Sequence, residues 1–161
     1  MDGMEIMSLV LRWLHILAAI TLMGGTIFMR FALLPAASEL PDDMHKQLRM
    51  GVISRWKMFV HLAIAFLLIS GLVNYVVAVK AFQYPKLYHM LFGIKFLLGM
   101  VIFFIASLMM GRTALADKIR QNAKFWLTLN LVLALIVVCI GGVMRNQSYQ
   151  RTPKVAVVVA E

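Results

Sequence analysis

The stretch LRWLHILAAITLMGGTIFMRFALLP, Leu11 to Pro35, decides the fold. It is long and apolar enough to cross a bilayer as a helix, yet it carries Arg12, His15 and Arg30. A charge or an imidazole inside hydrocarbon is costly, so each of the three needs a reason. At about 100° per residue, Arg12 and Arg30 fall on one line of the helix, with His15, Ile16, Ala19, Met23 and Thr26 within about 60° of it. That stripe is mixed and partly polar, unlike a lipid-facing one.

Three further spans follow the first, which extends from Ser8 to Pro35. They are Met58 to Val79, Leu87 to Met110 and Phe125 to Met144. The chain of 161 residues is 62% hydrophobic and 14% charged, with mean hydropathy +0.86. That leaves too little polar covering for a water-soluble domain and predicts an all-α integral membrane protein. Four spans joined by short connections imply an antiparallel four-helix bundle over residues 1–145, with an extramembrane tail over 146–161. In the first connection, Ser38 to Met50 mixes polar and apolar residues as a short interfacial helix does, with Glu39 and Pro41 at its start. The second connection is a tight turn containing Pro85, and the third, Gly111 to Lys124, reads as a charged, polar loop.

The net charge of +9 belongs mostly to the ends of the spans, which points to membrane topology and away from nucleic acid. Around the first and third connections lie Arg30, Lys46, Arg49, Arg55, Lys57, Arg112, Lys118, Arg120 and Lys124. The other side holds fewer, namely Arg12, Lys80, Lys86, Arg145, Arg151 and Lys154. The positive-inside rule then puts both termini outside, on the periplasmic side of a bacterial inner membrane. Trp13, Trp56, Tyr84, Tyr88 and Trp126 fall near the expected interfaces. The first helix, with Asp2 and Glu5 before it, is expected to be retained rather than cleaved. In the tail, the β-prone run Val155 to Ala160 is read either as a dock for a partner subunit or as disorder.

No Asp or Glu lies in any span, which argues against a transporter driven by an intramembrane carboxylate. The single cysteine, Cys139, forms no internal disulfide and reads as apolar filler. His15 and His89 each lie near the outer end of their helix and are the natural pair for a shared iron, with His61 or His45 as substitutes for His89. The face around His89 contains Gly93, Phe96, Met100, Phe103, Phe104 and Ser107; it suits a porphyrin wall or ordinary packing. Lys95 lies deep in its span. It is placed either to neutralise an acidic group of a bound molecule or to reach the headgroups, and with Arg12 and His15 it forms an outer-leaflet cationic pocket. Asn130 shares a face with Ala134, Val137 and Gly141 and suits a bond between helices. Gly24 and Gly25 give room for close helix approach or for a flat ligand.

Several of these stretches are similar to a known superfamily. WLHILAAITLMGGTIF (Trp13 to Phe28), SGLVNY (Ser70 to Tyr75), GIKFLLGM (Gly93 to Met100) and FWLTLN (Phe125 to Asn130) resemble the four helices of copper-resistance protein D membrane domains and HemJ-type protoporphyrinogen oxidases. The resemblance implies b-type haem, electron transfer or porphyrin-linked oxidation, and a porphyrin or quinone-like partner molecule. It carries over to His15, Lys95 and Asn130. The HemJ-type third-helix histidine is Gly93 here, with His89 one turn earlier, and the acidic residue and proline after the fourth-helix asparagine are Leu131 and Leu133.

Two other readings stand beside this one. Copper handling rests on Met1, Met4 and Met7 leading to His15 and Met23. A non-catalytic subunit of a larger membrane complex, or a homo-oligomer, rests on the missing HemJ-type residues and on the tail.

Overall fold

A computed structural model describes residues 3–111, 113–148 and 152–153. Four helices in it are long and apolar enough to cross a membrane. The side chains agree with that setting. Ile20, Leu97, Phe104 and Val138 are among many large apolar residues left exposed, while the buried set is small. In water that balance would be unstable; in hydrocarbon it costs nothing.

The first span is α1 (Gly3–Phe28), continued by a π-helical turn (Met29–Leu33) and a short α2 (Leu34–Ala37). Pro35 explains the change of pitch. It has no N–H to give, and its ring would press on the carbonyl one turn back, so the wider turn accommodates it. The Leu34 N–H accordingly bonds the Met29 carbonyl, five residues back. Arg30 sits in this turn, and its Nε donates to Thr128 Oγ1 at 2.8 Å.

The first connection is shorter than the sequence suggests. From Asp42 the chain is already in α3 (Asp42–Ala81), which runs 40 residues without a break, so Ser38 to Met50 is not a separate helix. Asp42 and Asp43 occupy its first turn, where acidic side chains suit the helix dipole. At 1.5 Å per residue α3 is about 60 Å long, twice the hydrocarbon thickness, so its polar first third extends beyond the apolar slab.

A tight connection, including β1 (Phe82–Gln83), leads to α4 (Lys86–Met110). The third connection contains a helix that polarity alone hides, α5 (Ala114–Gln121). Thr113 caps it, its Oγ1 accepting the Ala116 N–H at 3.2 Å, and Ala116 and Ile119 are buried beneath it. The last span, α6 (Ala123–Gln147), runs three residues past the expected end at Met144 and ends where Ser148 Oγ bonds the Arg145 carbonyl. Within the tail, β2 (Thr152–Pro153) pairs antiparallel with β1, Phe82 opposite Pro153. Val155 to Ala160 lies outside the described residues.

α1 packs chiefly on α3 and α4 on α6, with α3 also touching α4 and α1 touching α6. The apolar core is Val60, Ile105, Met109, Met110, Ile119 and Leu127. It therefore lies at the end of the molecule where α4 finishes and α6 begins. His15, Ser70 and Lys95 lie toward the other end.

Candidate functional site

His15 is fixed by α3. Its Nδ1 lies 2.8 Å from Ser70 Oγ, and Ser70 is 1% exposed. The Ser70 hydroxyl gives its one proton to the Phe66 carbonyl, so its oxygen is left to accept. With the hydroxyl proton so placed, Nδ1–H donates to Ser70 Oγ and Nε2 carries the lone pair; the Leu67 backbone carbonyl also approaches the ring. Gly71 makes the approach possible, since a Cβ built there would lie 3.4 Å from the His15 ring.

Lys95 turns inward from α4. A Cβ on Gly141 of α6 would be 3.5 Å from its Nζ, and the ammonium is within electrostatic range of the His15 ring. His15, Ser70, Lys95 and Gly141 therefore gather one position from each long helix around one polar spot. A hydrogen-bonded imidazole with its lone pair on Nε2 can bind a metal or take a proton, and the nearby ammonium favours an anion.

His89 is held separately. Its Nδ1 is 2.7 Å from the Tyr75 hydroxyl, five residues or about 7.5 Å farther along α3 than Ser70. Tyr75 stacks on Phe92 at 3.6 Å between centroids, and Tyr84 on Tyr88 at 4.1 Å, which pins the turn between α3 and α4. The face below His89 is turned outward: Gly93, Phe96, Met100 and Phe104 are exposed, and nothing lies within 4 Å of where a Gly93 Cβ would be.

The remaining candidates disperse. Arg12 is exposed on α1. Asn130 is 6% exposed on α6, and its Oδ1 has no hydrogen-bond partner; it lies eleven residues from Gly141, about 16 Å along the helix from Lys95. His61 is exposed, with Nδ1 at 2.8 Å from the Lys57 carbonyl of its own helix, and His45 belongs to the opposite end of the molecule. The space at Gly25 is taken by the Trp56 ring, which a Cβ there would overlap, so a protein side chain fills the gap expected for a flat ligand. Among the described residues no three His, Cys, Asp or Glu gather as a metal site. Met1 of the methionine run lies outside the described residues, as does the side chain of Met4.

Sequence reasoning missed Ser70 and Tyr75 as partners of the two histidines, although both lie in SGLVNY. Tyr75 was open to notice as a hydroxyl within an apolar span, whereas Ser70, which bonds its own helix, gave no such signal. Comparison with known protein families, curated proteins and solved structures finds no match to this chain.

Proposed function

We propose that the chain is an antiparallel four-helix membrane protein of the copper-resistance D and HemJ type that binds b-type haem through His15. The observation that carries this reading is the Ser70 bond to His15 Nδ1. It fixes the tautomer and leaves Nε2 as a donor, the arrangement in which a histidine ligand is oriented by an acceptor behind it. A histidine held in this way suits a haem iron. His15 would hold the iron, with His89, oriented by Tyr75, as the second candidate, and Lys95 would be the counter-charge to an acidic substituent.

When bound, haem supplies a one-electron iron couple, suited to electron transfer or porphyrin-linked oxidation. The protein's part is to hold His15 in one tautomer, place a cation beside it and exclude water with the apolar helices around it. In this reading both termini face outward, and the basic connections and the polar start of α3 lie at the inner interface.

The test is the visible spectrum of full-length protein isolated without added cofactor. A Soret band lost in His15→Ala, with helicity unchanged by circular dichroism, supports the reading. No Soret band in the wild type, or one that survives His15→Ala unchanged, removes it.

A further inference from the structure

A cavity of about 460 Å³ opens at the basic end of the molecule, far from His15. It lies between the π turn after α1, the start of α3, the end of α4, α5 and the first residues of α6. Part of its wall is apolar, with Met29, Leu33 and Val52 among the lining residues. The rest is polar, Arg49, Arg120 and Lys124 among neutral groups such as Ser38, Gln121 and Asn122, and no carboxylate is among the described lining residues.

Among the described residues only Arg120 of these cations has an ion-pair partner, Asp117, while Arg49 and Lys124 have none. Arg120 has a side chain only 8% exposed and is held by the Met109 and Gly111 carbonyls and by Asp117, but its Nε is buried with no partner. Arg49 is close enough to Arg120 for the two like charges to repel and to Asp117 for some attraction. The N-terminus of α6 adds to the positive field: Ala123 to Phe125 line the cavity, and no side chain caps the helix there. The π turn contributes Met29 and Leu33 to the apolar wall, and such turns recur at functional sites.

An inorganic anion would answer the charges and leave the apolar wall wet. A neutral chain would do the reverse. The depth matters as well, because the cavity lies where the apolar spans end and Lys and Arg collect, the level of lipid headgroups. We propose that this cavity is a binding site for an anionic phospholipid, its phosphate among Arg49, Arg120 and Lys124 and its first methylenes against Met29, Leu33 and Val52. The site is independent of the haem reading. It would tie the π turn, α3, α5 and α6 together at the end of the molecule that also carries the core.

Native mass spectrometry of the full-length protein, exchanged into equal phosphatidylglycerol and phosphatidylcholine of identical acyl chains, tests it. One phosphatidylglycerol is expected to be retained in preference. Arg49→Gln with Lys124→Gln should lower that retention about thirtyfold. The equal charge loss Arg55→Gln with Lys57→Gln, outside the cavity, should leave it unchanged. Val52→Trp keeps every charge but fills the space, and should abolish retention. Equal retention of the two lipids, a matching loss in the Arg55 and Lys57 pair, or retention that survives Val52→Trp overturns the proposal. So does displacement by equimolar oleate or by inorganic phosphate, which would make the site one for a free fatty acid or a simple anion.

Discussion

His15 Nδ1 and Ser70 Oγ lie 2.8 Å apart across the interface of α1 and α3, and the Ser70 proton is already committed to the Phe66 carbonyl. One hydroxyl thus fixes both a helix pair and a tautomer. Gly71 beside it admits the ring, so two adjacent residues of α3 define how the histidine sits.

Ser70→Ala removes the acceptor and leaves the imidazole N–H half-buried and unpaired. The expected cost is about 1–3 kcal/mol, the usual penalty for an orphaned buried donor. Thermal unfolding of the detergent-solubilised protein measures it. In haem-loaded protein the same change should move the reduction potential, because a ligand histidine loses basicity with its acceptor. A wild-type melting point and potential in Ser70→Ala would show that the bond does neither task.

Gly25→Ala tests the packing of α1 on α3. The new Cβ would overlap Trp56 Cζ2 and lie 2.9 Å from Cη2, which forces the indole to move. Trp56 also stacks on Phe59 and packs on the apolar core, so it has little freedom to yield. Overpacking of this kind costs about 1–3 kcal/mol. Adding Trp56→Leu to Gly25→Ala should return part of that loss, and a double-mutant cycle reads the coupling. Purely additive effects would mean that the indole is not the obstacle.

The four spans were legible because hydropathy needs no tertiary context: apolar runs of this length have few other uses. What escaped was set by side-chain partners and local geometry. α5 looks like a polar loop until Thr113 is read as a cap and Ala116 and Ile119 as its buried face. The unbroken α3 looks like a loop helix plus a span because its first third changes polarity without changing conformation. Of the candidate site, His15 and Lys95 could be picked out by the cost of a polar group in hydrocarbon. Ser70 could not, since serine in such a span carries little cost when it bonds its own helix. Asn130 was visible as a polar residue, but only its neighbours place it away from Lys95.

Asn130→Leu is expected to stabilise the protein. The amide is buried between helices with Oδ1 unpartnered, so the wild type carries a desolvated acceptor with nothing in return. An apolar side chain of similar size removes a penalty of about 1–3 kcal/mol. A higher melting point with an unchanged spectrum is the expected result. A large loss of stability would mean that Oδ1 has a partner in the membrane, such as a water or a lipid group.

Lys95→Met separates stability from ligand binding. The ammonium is directed at the Gly141 position of α6 in the interior of the helices and shares its surroundings with His15, with no acid beside it in the four spans. An unpaired interior cation is a liability, and an apolar side chain of similar length should raise the melting point. If the cation is there to meet an acidic group on a bound molecule, the same substitution should weaken retention of that molecule. The two readouts then move in opposite directions, which simple packing damage would not produce. Lys95→Arg completes the test, since it keeps the charge and should keep retention without the gain in stability. A fall in both melting point and haem content for Lys95→Met would instead assign Lys95 to holding the helices together.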